Sequence, residues 1–321
     1  MIGLNEEDTA LLKKKETEII EAADVICVTC VYSNCGQLEN YKFPFVLIDE
    51  AAQAREPECF IPLSKGAEHV ILVGDHKQLK PFTRDYDDHD SLFERLVDLG
   101  IKPIMINTQY RMHSSLSKFS SINFYDEILK DGVNDSDRSF YNKKFPWSDI
   151  AESTFFWHIS TEEQVIDKSL KNDGQAKCII QILESLKSNG INPSDIGVIT
   201  PYLAQKFHVK DLIFKRMGCS TIEINSVDSY QGREKEIIIL STVRSNYHNN
   251  IGFLKDERRM NVMLTRAKRL LIVIGDADCL VESKYWGRFL KQYSRDGFVL
   301  KGRRLDSLTR MDMWDKFDEV V

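Results

Sequence analysis

The chain lacks most of the features that classify a protein at a glance. No stretch repeats, no tract is of low complexity and no long linker parts the sequence, which sets repeat arrays aside. No apolar run reaches the ~18 residues that cross a bilayer. The opening Met1-Ile2-Gly3-Leu4-Asn5-Glu6-Glu7-Asp8 has neither a basic flank nor a signal-peptide core, so the expectation is a soluble, intracellular protein. An excess of positive charge is also missing. Lys and Arg total 43 against 49 Asp and Glu, a net charge of −6. That excludes a protein that coats nucleic acid by bulk charge, while leaving room for a local basic groove. Basic residues do crowd at Lys13 to Lys15, Arg258-Arg259, Arg266 to Arg269 and Lys301 to Arg304. A zinc framework is absent too. Cys27-x-x-Cys30 and the nearby Cys35 have no second pair or histidine pair at ligand spacing. Cys27 and Cys30 sit in the strand-like Val25–Val31, which reads them as buried free thiols rather than ligands.

What is present points to an α/β protein. A length of 321 residues suggests about two domains, and 42% hydrophobic with 29% charged residues is ordinary for a globular chain. After an amphipathic helix over 5–23, short apolar segments alternate with helical ones. The composition predicts strands at 25–31, 45–48, 70–73, 104–107, 154–158, 196–200, 222–225, 236–243 and 270–274. It predicts helices at 91–99, 114–124, 174–188, 203–216, 257–268 and 285–293. Strands as apolar as Glu236-Ile237-Ile238-Ile239-Leu240 and Leu270-Leu271-Ile272-Val273-Ile274 suit parallel sheets covered by helices on both faces. The expected division is a first domain over 1–107, a second over 108–300 and a tail over 301–321, with 131–153 a surface excursion.

Five motifs carry chemistry. Phe45 to Ile48 is an apolar strand ending in Asp49-Glu50-Ala51-Ala52-Gln53, which places two carboxylates at the carboxyl edge of a sheet, where ligands bind in such folds. Asp49 suits a magnesium ion held through water, and Glu50 suits a general base acting on an attacking water. Two solvated acids at a strand end are the plain alternative, weakened by Gly74-Asp75-His76-Lys77-Gln78-Leu79 after a second strand. The Gln78 amide can contact both a γ-phosphate and a water. Gln109-Tyr110-Arg111-Met112-His113 and Arg258-Arg259-Met260-Asn261-Val262-Met263-Leu264-Thr265-Arg266-Ala267-Lys268 offer Arg111 and Arg266 as cations against phosphoryl charge. For Arg258 and Lys268 a solvated basic face reads at least as well. Tyr110 can stack an adenine or simply pack. Glu234, in the Gln231-Gly232-Arg233-Glu234 turn, can hold a ribose hydroxyl or support the arginines. Thr29, Thr200, Tyr202 and Arg244 close strands with the hydroxyl, ring and guanidinium groups that suit non-specific contact with a single strand. Taken alone, each of these reads better as structural than as a contact.

In this order and spacing the motifs resemble superfamily 1 helicases, and most closely the up-frameshift RNA helicases of nonsense-mediated mRNA decay. The likeness extends to Ala23-Asp24-Val25-Ile26-Cys27, Glu56-Pro57-Glu58-Cys59, Ser91-Leu92-Phe93-Glu94-Arg95-Leu96, Gly252-Phe253-Leu254 and Val227 to Lys235, and so covers nearly the whole chain. The resemblance implies two RecA-like domains with ATP between them and 5′-to-3′ translocation on single-stranded RNA or DNA. It implies Asp49 and Glu50 as magnesium-binding and catalytic acids, Gln78, Tyr110 and Glu234 as nucleotide contacts, and Arg111 and Arg266 as arginine fingers. ATP and Mg²⁺ are the expected cofactors, mRNA-decay factors the expected protein partners, and the cytoplasm the expected location, with the nucleus as the alternative.

One motif of that series is not in these 321 residues: the G-x-x-x-x-G-K-[ST] phosphate loop, whose backbone and lysine cradle β- and γ-phosphates. The family's cysteine- and histidine-rich zinc domain is not in them either. The expectation is therefore a first domain incomplete at its amino end, its phosphate loop supplied by an upstream segment or a second chain. The competing expectation is a non-catalytic RNA- or protein-binding module.

Overall fold

The computed structural model describes residues 6–81, 91–140, 153–218 and 221–317. Part of the expected excursion, residues 141–152, and Cys219 lie outside the described residues. The chain divides into two compact units, Met1–Ile104 and Met105–Val321, a break a few residues before the one expected.

The first unit is built from α1 (Glu6–Glu21), β1 (Phe45–Ile48), α2 (Glu56–Leu63), β2 (His69–Leu72) and α3 (Leu92–Asp98). β1 and β2 pair in parallel, Phe45 opposite His69 and Ile48 opposite Leu72. A small core of Ile48, Ala51, Cys59 and Leu92 holds their carboxyl ends against α2 and α3. Side chains further back on the strands, Phe45, Leu47, Val70 and Ile71, are exposed. Two expected strands did not form. Residues 25–30 and 104–107 are irregular and Val31 opens a 3-10 turn, and Val25, Val28, Ile104 and Ile106 are exposed. A β-strand is stabilised by its partner; among the described residues 25–30 pair with no strand, and of 104–107 only the Asn107 carbonyl is bonded across, to the Lys130 N–H. Cys27 is accordingly exposed and Cys30 half-buried rather than buried, and both are free thiols.

The second unit contains β3 (Thr108–Gln109), α4 (Ser114–Phe124), β4 (Lys130–Asp131), α5 (Asp135–Arg138) and β5 (Thr154–His158). A hairpin of β6 (Gln164–Ile166) and β7 (Ser169–Lys171) leads into α6 (Asp173–Ser188), β8 (Ile196–Ile199) and α7 (Leu203–Met217). Then follow β9 (Glu223–Asn225), α8 (Val227–Tyr230), β10 (Lys235–Ser241), α9 (Glu257–Leu264) and β11 (Ala267–Gly275). The unit closes with α10 (Ala277–Leu280), α11 (Lys284–Arg295), β12 (Val299–Lys301), β13 (Thr309–Arg310) and α12 (Trp314–Phe317). The seven-stranded sheet runs β13-β12-β5-β11-β10-β8-β9, parallel except for β13. The residues expected as a tail thus extend the sheet.

Alternation explains the packing. Phe155, Trp157, Ile237, Ile239, Ile272 and Ile274 share one core with Ile179 and Leu183 of α6 and Val209 and Ile213 of α7. The intervening Phe156, Ile238, Leu240 and Val273 are also fully buried, on the face where α4 and α11 pack. Each large side chain buried this way contributes about 1.5–3 kcal/mol. Near-continuous apolar strands are therefore required, as in any sheet covered twice. The sheet has two ends, and the polar motif residues gather at them.

Candidate functional site

In the first unit, Asp49 and Glu50 leave β1 on an exposed turn. Asp49 Oδ1 accepts the Glu50 N–H at 2.9 Å, and Glu50 takes the left-handed φ of 51°, which costs a non-glycine residue about 1 kcal/mol. The Ala51 N–H donates to Val73 O at 2.8 Å, tying this turn to the end of β2. Gly74 makes the approach feasible, since a Cβ there would lie 2.7 Å from Ala52 N. Gln53 Nε2 donates to Glu50 Oε2 at 2.7 Å. Gln78 Nε2 donates to Asp75 Oδ2 at 2.8 Å, on the turn after β2. The exposed Asp49 carboxylate is a hard oxygen donor of the kind that fits Mg²⁺. Thr29 serves locally, its Oγ1 accepting the Tyr32 N–H at 3.3 Å on an exposed turn.

In the second unit, the phosphate-type residues collect at the amino ends of β10 and β11. Arg111 Nε donates to Glu234 Oε2, and Arg111 Nη1 donates to Thr265 O at 3.1 Å. Lys268 Nζ reaches Glu234 Oε1 at 3.1 Å and Glu236 Oε1 at 3.3 Å. Burial pushes the Glu234 carboxyl up, but the hydrogen bonds from Arg111 and Lys268 outweigh it and hold the group below its usual range. The Lys268 ammonium is raised, chiefly by its hydrogen bond to Glu234. Glu234 thus bonds both Arg111 and Lys268. Gln109 shapes the approach: its Oε1 accepts the Arg111 and Met112 N–H groups, and its Nε2 donates to Met112 O and Asp131 Oδ1. Arg138 donates to the carbonyls of Arg111 and Tyr110, at 2.9 and 3.3 Å. Tyr110 is 66% exposed, its ring over Gly132, where a Cβ would lie 2.4 Å from Cε1.

Arg266 was expected on a helix. That helix ends at Leu264, where Thr265 Oγ1 bonds back to Asn261 O at 2.8 Å, and β11 begins at Ala267. Arg266 is the link between them and is 3% exposed. Its Nε donates to Val262 O at 3.0 Å and its Nη2 to Thr265 Oγ1 at 2.8 Å, so the guanidinium caps one carbonyl of the last turn of α9.

The expected nucleic-acid residues of this unit lie at the opposite, carboxyl ends of the strands, and they are buried. Thr200 follows β8, and its Oγ1 has no hydrogen-bond partner among the described residues. Tyr202 OH accepts from Arg244 Nη1 at 3.3 Å, and Arg244 Nε pairs with Glu163 Oε2 at 3.0 Å. Both are therefore parts of the wall rather than free contacts. Beneath them Asn172, Gln175, Gln205 and Ser241, all fully buried, share one hydrogen-bonded network. Sequence reasoning missed these network residues, together with Gln109, Arg138 and Glu163. Only Gln109 had a local signal, as the first residue of its motif. Apart from the Asn172–Gln175 helix cap, the partners are distant in sequence.

Models of the AAA domain match residues 3–84 and 89–278. Among curated proteins, the "ATP-dependent helicase NAM7" of Saccharomyces cerevisiae is 42% identical over 316 residues, covering 93% of this chain and 32% of that protein. The "Regulator of nonsense transcripts 1 homolog" of Arabidopsis thaliana is 41% identical, covering 91% of this chain and 24% of its own length. The chain belongs to the up-frameshift family of superfamily 1 helicases. It spans about a third or less of these relatives. A solved PRRSV helicase structure matches 72% of the chain and 34% of its own at 17% identity, with a TM-score of 0.37. The family membership stands on the AAA-domain matches and the curated relatives.

Proposed function

We propose that the chain is the part of an ATP-dependent RNA helicase that couples nucleotide hydrolysis to movement along a single strand, 5′ to 3′, in nonsense-mediated decay. The observation that carries the reading is the Arg111–Glu234–Lys268 cluster, organised by Gln109 and Arg138 beside an exposed Tyr110. A carboxylate that fixes a guanidinium and an ammonium in this way preorganises positive charge for a phosphoryl group. On this reading Tyr110 stacks the base, Gln78 reports the γ-phosphate and Glu50 takes the proton of the attacking water. Asp49 holds Mg²⁺, which supplies neutralisation of phosphate charge. Arg266 acts as a second finger after releasing the Val262 carbonyl and the Thr265 hydroxyl. Thr29 touches the single strand, while Thr200, Tyr202 and Arg244 shape the surface that does. ATP turnover also needs a phosphate loop, from an upstream segment or a second chain. On the same reading decay factors are its partners and the cytoplasm its site of action.

The deciding experiment is RNA-stimulated ATP hydrolysis by the protein purified at its native length, wild type beside Glu50→Gln. Stimulated turnover that vanishes in Glu50→Gln supports the reading. RNA binding without turnover in either form rejects it. That outcome leaves a non-catalytic binding module.

A further inference from the structure

The carboxyl ends of the second unit's strands hold one arrangement that the motif residues do not explain. Just after β10, Val243 takes a φ of 68°, a left-handed conformation that is a true outlier for a β-branched residue. The surrounding network imposes it. Gln175 Oε1 accepts the Val243 N–H at 2.8 Å, and Asn172 Nδ2 donates to Val243 O at 3.0 Å. Strain of this kind, over-determined by its surroundings, collects where a chain must present something. The following residues are then fastened one by one. Arg244 pairs with Glu163, the Ser245 N–H donates to the same carboxylate at 2.8 Å, and Ser245 Oγ donates to Asp276 Oδ2 at 2.6 Å. On the return side, Asn246 Oδ1 accepts the Asn250 N–H and Asn246 Nδ2 donates to Asn250 O, at 3.0 and 2.9 Å. Asn249 Nδ2 donates to Glu282 Oε1 at 2.7 Å, and Ile251 is buried.

All this fixes a loop whose tip is Tyr247, 97% exposed, with the His248 ring edge-on at 5.7 Å. A large ring left in water on a tethered loop contributes nothing to the core. It is, however, a flat surface on a fixed backbone, so binding there orders only the ring's own rotamers. The loop Ser245-Asn246-Tyr247-His248-Asn249-Asn250-Ile251 carries no Lys or Arg, so it is poorly suited to phosphates and well suited to a π-face. We propose that Tyr247 is a stacking platform for an unpaired nucleobase of the single strand. The loop's asparagine amides would lie near the base edge or ribose. The proposal rests on the nucleic-acid part of the function proposed above and adds to it the group that grips a base.

The test is fluorescence anisotropy of the full chain with a labelled oligouridylate and with a matched strand of abasic sites, for wild type, Tyr247→Ala and Tyr247→Phe. Stacking on one ring predicts a loss of about tenfold in affinity for the oligouridylate in Tyr247→Ala. Tyr247→Phe should bind like wild type, and the abasic strand should not distinguish the three proteins. Because the contact is uncharged, the ratio between wild type and Tyr247→Ala should be the same at about 50 and about 200 mM salt. Equal oligouridylate binding by wild type and Tyr247→Ala overturns the stacking assignment alone, and turns the exposed ring toward a protein partner. A wild-type chain that binds no single strand overturns the nucleic-acid reading beneath it. The position is a solvent-exposed loop tip, so none of these variants perturbs folding.

Discussion

Arg111 and Glu234 are separated by 123 positions in sequence and joined by a direct ion pair, with Lys268 on the carboxylate's other oxygen. The pair is partly exposed, at 29% and 39% for the two side chains, so solvent screens it and its worth to the fold is about 1 kcal/mol at most. Its value lies in holding a guanidinium still. Glu234→Ala should therefore lower the melting temperature by no more than about 4 °C. It should also cut RNA-stimulated ATP turnover by roughly tenfold or more, since preorganised charge is a large part of such catalysis. Scanning fluorimetry and a coupled ATPase assay on the same preparation separate the two effects. Unchanged turnover would remove Glu234 from the machinery.

Gly132 lies beneath the Tyr110 ring, and any side chain there meets Cε1 and Cδ1 at 2.4 and 2.7 Å. Gly132→Ala should push the ring from its place while leaving the second unit's core intact, because Tyr110 is exposed. If Tyr110 stacks adenine, Gly132→Ala and Tyr110→Ala should each weaken ATP by a few-fold, and the double variant should be no worse than the worse single one. Additive losses in a competition assay with a fluorescent ATP analogue would show that glycine and ring act separately.

Much of the second unit was legible because its strands are apolar on both faces and its helices are periodic. The helix over Ser114–Phe124 was placed to the residue, and β5, β8, β10 and β11 to within a few. Val25–Val31 misled for a physical reason: β-branched composition signals a residue that fits a sheet, and pairing decides whether a sheet exists. Ile104 and Ile106, both exposed, repeat that lesson. At the candidate site, the charged motif residues could be picked out, but their burial could not. Arg244 looked like a free cation until Glu163, 81 residues earlier, closed on it. Tyr247 drew no attention because a lone tyrosine in a polar loop has no period and no motif.

Acid should weaken the fold in two stages. His158 is held below its usual range, first by burial, with the opposing pull of Asp276 and Asp278 too small to reverse it and Lys316 and Lys301 adding to the depression. Its Nδ1 accepts the Ala277 N–H at 3.0 Å, which requires an unprotonated nitrogen. His208 is depressed likewise, first by burial. The unfolded chain binds protons at these positions from about pH 6.5 downward while the folded chain does not, so stability present above pH 6.5 is lost as pH falls. A second loss follows below about pH 4.5. There the unfolded carboxyls protonate, whereas Glu223, Glu234 and Glu236 stay ionised in the fold through their Arg and Lys partners. Urea titrations from about pH 8 to about pH 4 should show both steps, and His158→Gln should diminish only the first. A profile flat between pH 7 and 5 would contradict the burial of these imidazoles.

The Asn172 side chain ties together the β6–β7 hairpin, α6 and the turn after β10. Its Oδ1 accepts from Thr161 Oγ1 at 2.7 Å and from the Gln175 N–H at 3.0 Å, capping α6. Its Nδ2 donates to Thr161 O and Val243 O. With the residue fully buried, Asn172→Ala removes a helix cap and strands several groups away from water. The cap is worth about 1 kcal/mol and each buried unsatisfied group about 1–3 kcal/mol. A loss of roughly 3 kcal/mol follows, a drop of about 6–12 °C in melting temperature for a unit of this size. Asn172→Asp keeps both accepted bonds but replaces the donor with a carboxylate facing Thr161 O and Val243 O. It should preserve the helix cap yet release Val243 from its left-handed turn. Hydrogen exchange resolves the difference: protection at the start of α6 should fall in Asn172→Ala only, and protection of the Val243 amide should fall in both. Protection at Val243 that survives in Asn172→Asp would assign the strained turn to Gln175 alone.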